Sequence, residues 1–150
     1  MNKNDSKDSN INLTILNEIN KGSKIGMDNI SYIIKKVGDE QMKKDLTFQY
    51  SEYGKIVDKV NTAFEEYGEI PDVNPITQKM FGWTGVELNT LTDKSNSHIA
   101  EMMIQGGNMG IIECQKLLNH NPGADEKVKN ILNDFMTMQT NNIAKMKTFL

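Results

Sequence analysis

Apolar residues return every three or four positions along four separate stretches of this chain, a rhythm that a helix advancing about 100° per residue gathers onto one face. Between residues 12 and 37 the recurring positions are Leu16, Ile19, Met27, Ile30, Ile34 and Val37, with Gly38 placed to close the helix in a left-handed conformation. A second helix is predicted from about Asp39, with Met42, Leu46, Tyr50, Tyr53, Val57, Val60 and Phe64 on its stripe and Tyr67-Gly68 at its end. So short a turn between them makes these two an antiparallel hairpin. A third helix is predicted from about Ser95 to Leu118 through Ile99, Met103, Ile111, Leu117 and Leu118. The turn His120-Asn121-Pro122-Gly123 joins it to a fourth, from about Asp125 to Leu150, carrying Val128, Leu132, Phe135, Met146 and Leu150. These form a second hairpin.

Residues 68 to 94 connect the hairpins and are too long for a tight turn. They contain a short helical pattern, Ile76, Met80, Trp83 and Leu91, after Asn74-Pro75, which suits a cap followed by proline at the first helical position. A connection of that length can run the height of a bundle and set the third long helix parallel to the second. Simple up-down-up-down winding is the competing topology. The expectation is therefore an all-α four-helix bundle over residues 11–150 with a long crossover containing a short extra helix, preceded by a disordered tail at residues 1–10, MNKNDSKDSN, which has almost nothing to bury.

Composition narrows the possible partners. All 17 basic residues are lysine, so the planar, bidentate clamp that arginine offers to phosphate and to guanine is missing. With a net charge of -3 there is no basic field to gather a polyanion, and nucleic acid is not an expected partner. A single cysteine, Cys114, rules out an intrachain disulfide and fits a reducing compartment. No stretch approaches the roughly 20 apolar residues of a membrane span. A cytoplasmic protein that does not engage a membrane is expected.

The run Ser97-His98-Ile99-Ala100-Glu101-Met102-Met103-Ile104-Gln105-Gly106-Gly107-Asn108-Met109-Gly110-Ile111-Ile112, with Gln139-Thr140-Asn141-Asn142-Ile143 and the closing Met146-Lys147-Thr148-Phe149-Leu150, resembles a group of uncharacterised clostridial proteins of the ferritin-like superfamily. The resemblance covers most of the chain after the tail. It implies a ferritin-like four-helix bundle and poses a test, because metal-binding members project one Glu from each of two helices and a Glu-x-x-His pair from each of the other two. The three-residue offset puts both ligands of a pair on one face at neighbouring heights.

Gln139 and Asn142 have that offset, in the middle of the last helix's apolar stripe, but they are amides. Neutral amides bind iron or manganese weakly and cannot neutralise a divalent charge in a low-dielectric core. On the second helix Gln49 and Tyr53 lie on or beside the stripe, with Glu52 rotated to its margin. On the first, Asn20 and Ser23 face inward, whereas Glu18 and Asp28 point away. The third presents Gly106 and Gly110, which offer no ligand, and its one nearby carboxylate, Glu113, sits at a different level from Gln139. The resemblance thus implies a bundle with a degenerate metal site.

Other features have plain structural readings. His98 and Glu101 reverse the order of the metal motif and lie towards the polar side of their helix, where His98 can share a cap with Ser95. The ten methionines mostly fall on core stripes, where the flexible thioether fills gaps, rather than forming a copper surface. Cys114 faces apolar neighbours and has no nearby histidine to activate it. Phe81 and Trp83 fasten the crossover to the core. Asn20, Ser23, Gln49, Tyr53, Gln139 and Asn142 form either a hydrogen-bonded network or a small polar cavity for water or a ligand.

Three functions remain open on these grounds. The first is a non-enzymatic structural or interaction module, without a cofactor, that associates with itself or with another protein. The second is a metal-dependent oxidoreductase or storage protein holding iron or manganese at an atypical site drawn from Glu52, His98, Glu101 and Glu113. The third is a small-ligand binder using the polar mid-core.

Overall fold

The computed structural model describes residues 3–72 and 91–150, with side chains described from residue 11 onward. The expected short helix at Ile76, Met80 and Trp83, its Asn74-Pro75 cap and Phe81 lie outside the described residues. Among the described residues there are four α-helices: α1 (Lys3–Ile33), α2 (Glu40–Glu66), α3 (Asn96–His120) and α4 (Glu126–Lys147). A 3-10 turn at Ile34–Lys36 extends α1. α1 begins at Lys3, within the segment 1–10 expected as a tail; once a helix is nucleated each further residue costs little, so an apolar face is not needed to extend it.

The buried positions follow a stricter rule than three-or-four spacing. In α2 they include Met42, Leu46, Gln49, Tyr53, Ile56, Val60 and Ala63, and in α4 Val128, Leu132, Phe135, Gln139, Asn142 and Met146, an alternation of four and three. Such a heptad seam keeps a helix against its neighbours in the packing of left-handed bundles. It moves two expected core residues outward: Tyr50 is exposed, and Ile56 takes the buried place expected for Val57, which is half-buried. Leu150, expected on the last stripe, lies beyond the end of α4 and is exposed. On α3 the buried set is Ile99, Ala100, Met102, Gly107, Gly110 and Cys114, so Met103, Leu117 and Leu118 pack only at the margin.

Local chemistry sets the helix ends. Asp39 caps α2, its carboxylate accepting from the Met42 amide at 2.8 Å. α2 closes with Gly68 at φ 70, whose N–H donates to the Glu65 carbonyl while that of Glu69 donates to the Phe64 carbonyl. This paired closure requires a left-handed residue, which glycine adopts without a Cβ clash. The expected left-handed Gly38 is not found; Val37 is already extended, at φ -81 and ψ 129, and turns the chain towards the cap at Asp39.

Contacts between helices fix the topology. α2 and α4 run antiparallel, with Lys127 paired to Glu66 at 2.9 Å, Lys59 to Asp134 at 2.8 Å, and Lys145 over the Phe48 ring at 3.9 Å. The start of α4 lies with the end of α2, where the Tyr67 hydroxyl donates to Asp125, and with α1, where the Asp125 amide donates to buried Asn12 at 2.8 Å. α3 packs antiparallel along α4, so its start lies at the opposite end from the close of α2. α2 and α3 therefore run parallel and sit diagonally across the bundle, with the close of α2 and the start of α3 at opposite ends. This is the crossover topology, not up-down-up-down winding.

Candidate functional site in the bundle core

All four helices contribute to one level of the core. From α2, Tyr53 points across the bundle and accepts a hydrogen bond from Gln139 Nε2 of α4 at 2.7 Å. The Phe135 ring of α4 meets the Tyr53 ring edge-on, with centroids 6.1 Å apart. The other two helices make room. On α1 a Cβ at Gly26 would lie 2.4 Å from Tyr53 Cζ, and on α3 Cβ atoms at Gly107 and Gly110 would lie 3.0 Å from Ile143 and 3.2 Å from Gln139. Two large polar side chains thus face two glycine-bearing helices. Gly107, and not Gly106, shares the inward face with Gly110, because Gly106 is rotated to a half-buried place where a Cβ would meet nothing within 4 Å.

Polar side chains continue into the neighbouring turns of an otherwise apolar core. Asn20, Ser23, Gln49, Gln139 and Asn142 are all buried, as the sequence pattern predicts, and so is Asn29, which that pattern missed. Its signal was its place one residue before Ile30 on the α1 stripe. Asn20 Oδ1, Ser23 Oγ, Gln49 Nε2 and Asn142 Nδ2 are enclosed without a hydrogen-bond partner. Among the described residues the hydrogen bond that links these buried side chains is Tyr53–Gln139, so they share the core without forming a closed circuit. Glu18, expected to point away from the core, also has an enclosed oxygen, Oε2, with Lys21 at 3.7 Å from its other oxygen. The short reach back to Lys21 draws the carboxylate along the helix rather than out into water.

Burial dominates the electrostatics. It pushes the Tyr53 phenol up to about 12, against a smaller opposing effect of its bond with Gln139. The Cys114 thiol, 1% exposed, is likewise pushed up to about 12, by burial and then by the nearby Glu113 carboxylate. Neither is an ionised group near neutrality, and Cys114 is a packed apolar side chain rather than a nucleophile.

The residues present do not fit a di-metal centre. Glu52 is turned to Lys55 at 2.6 Å and Glu113 to Lys116 at 3.0 Å. His98 stands in the first turn of α3, where its amide donates to Ser95 Oγ at 3.3 Å, and Glu101 is exposed beside Gln105. Among the described residues no three His, Cys, Asp or Glu side chains converge as metal ligands. Facing inward at mid-height are a phenol, a hydroxyl and amides, whose neutral oxygens and nitrogens cannot balance two divalent ions.

Among the described residues no helix is long and apolar enough to cross a membrane. No family model matches the chain, and no curated protein matches it by sequence. Solved structures do. A DUF305 fragment from Deinococcus radiodurans superposes with a TM-score of 0.75 at 11% identity, over 92% of this chain and 93% of that one. The dodecameric thioferritin of Bacteroides fragilis, a bacterioferritin-related protein, gives 0.69 at 13% identity, over 94% and 84%. YcfI of Rhodopseudomonas palustris, proposed to be a structural protein, gives 0.69 at 14%, over 93% and 92%. At such identities the likeness is one of fold, and the fold is a ferritin-like four-helix bundle.

Proposed function

We propose that the chain acts as a non-enzymatic module, a ferritin-like bundle whose metal positions have lost their charge and which works by associating with itself or with another protein in the cytoplasm. The observation that carries this reading is the pair Gln139 and Asn142: they keep the i, i+3 offset of a Glu-x-x-His pair and are buried at 4% exposure each, yet bring two neutral amides. A divalent ion at that level would be desolvated without compensating charge. The carboxylates that could substitute, Glu52 and Glu113, are each held by a lysine one turn along the same helix. The fold neighbours add support from two sides, since one assembles as a dodecamer and another is proposed to be structural.

Elemental analysis of protein grown with added iron and manganese and purified without chelator tests the reading, together with light scattering across a concentration series. Sub-stoichiometric metal and a mass above that of the single chain are expected. Stoichiometric iron, manganese or zinc that disappears in Glu52→Ala or Glu113→Ala would establish a metal protein instead.

A further inference from the structure

Between α1, α2 and α3 lies a cavity of about 20 Å³. Gly26, Gly106 and Gly107 line it, Met102 and Met103 wall it, and Tyr53 and Asn29 supply its polar groups. A cavity of roughly 10–15 Å³ already holds one water molecule, provided that polar partners line it. Both conditions are met here. The hydrogen bond from Gln139 Nε2 uses the Tyr53 oxygen as acceptor, which leaves the phenol's own hydrogen to be directed elsewhere. Asn29, at 9% exposure, brings both a carbonyl and an amide.

The surroundings point the same way. Gly26 lies against Tyr53 and α1 and α2 are antiparallel, so Asn29 and Gln49 are both about one turn from this level towards the same end. Asn142, one turn past Gln139 on α4, lies towards that end as well. Gln49 Nε2 and Asn142 Nδ2 are enclosed without a protein partner, and buried donors are normally satisfied by protein or by ordered water. An ion is a poor occupant, because no charged side chain lines the cavity and the phenol, pushed up to about 12, stays neutral.

We propose that this core binds water as a structural ligand, with one molecule lodged between the Tyr53 hydroxyl and the Asn29 side chain. The water takes the phenol's hydrogen, returns a hydrogen to the Asn29 carbonyl, and extends the Tyr53–Gln139 bond towards α1. Glycine at positions 26 and 107 seats Tyr53 and Ile143, while Gly106, where a Cβ would meet nothing within 4 Å, leaves the space beside them open. The water then ties α1 to the Tyr53–Gln139 bond that joins the two hairpins, which goes beyond the module reading and does not depend on it.

Oxygen-17 relaxation dispersion on the intact protein counts water molecules held long enough to tumble with it. At least one is expected in the wild type. Tyr53→Phe, which keeps the ring and removes the oxygen, should lower the count by one, and Asn29→Ala should do the same. If Tyr53→Phe fails to fold, Asn29→Ala alone decides. A wild type with no long-lived water, or a count unchanged in the folded variants, overturns the proposal.

Discussion

Alanine at position 26 should destabilise the bundle, although it puts a better helix former into α1. In an exposed helix interior, Gly→Ala gains about 1 kcal/mol. Here the added Cβ would fall 2.4, 2.6 and 2.8 Å from Cζ, Cε1 and Cε2 of Tyr53. The ring is rigid and buried, and its hydroxyl is tied to Gln139, so it has no free rotamer into which to swing. Overpacking a filled core costs about 1–3 kcal/mol. A ring displaced far enough to release Gln139 leaves a buried amide unpaired, a further cost of about 1–3 kcal/mol. Set against the propensity gain of about 1 kcal/mol, the net loss is about 1–5 kcal/mol. The matched control is Gly54→Ala on α2, away from the cavity, where a Cβ meets nothing within 4 Å and the propensity gain of up to about 1 kcal/mol should stand alone. Urea unfolding at 25 °C, followed by far-ultraviolet circular dichroism, reads both, and each 1 kcal/mol should move the thermal midpoint by about 2–4 °C. In a Tyr53→Leu background the Gly26→Ala penalty should largely vanish. Wild-type stability or better for Gly26→Ala in the native background would refute the account of this level of the core.

The Tyr53–Gln139 bond should show itself in a double-mutant cycle: Tyr53→Phe and Gln139→Leu each cost about 1–3 kcal/mol because each strands a buried partner, while the double variant costs clearly less than their sum. Additive losses would mean that the two side chains do not share a bond. Stability should also fall in alkali. Tyr53, raised from 10.0 to about 12, and Cys114, raised from 9.0 to about 12, both hold their protons more tightly folded than unfolded. Their contribution is therefore complete below about pH 9 and is lost as the pH rises towards 12. Urea midpoints measured at pH 8 and 10.5 should show the drop, and Cys114→Ala should lessen it. For the same reason a thiol reagent at pH 8 should label Cys114 slowly in the folded protein and fully in urea; fast labelling of the folded form would contradict its burial.

Much of the fold was legible in the chain. Apolar spacing located the four helices, Asp39 and Ser95 marked starts, Tyr67-Gly68 marked a stop, and the length of the segment after Gly68 allowed the crossover. These are local matters, settled by which backbone groups a nearby side chain or a glycine can satisfy and by which face a run of residues presents. The inward direction of Asn20, Ser23, Gln49, Gln139 and Asn142 was legible for the same reason, since each falls on or beside its helix's apolar stripe.

The partners of those residues were not legible, because a stripe gives a direction and not a height or a neighbour. Only the packed bundle decided that Tyr53 would reach Gln139 across the hairpin interface, that Gly26 and Gly107 would stand opposite them, and that Gly106 would turn aside. One residue along a helix is a rotation of about 100°, which is enough to exchange a buried glycine for a half-exposed one or Val57 for Ile56. The sequence by itself determined four amphipathic helices with a polar middle built of amides, a hydroxyl and a phenol. The tertiary structure decided which polar groups meet, because close packing of four helices at fixed heights leaves each side chain one set of neighbours.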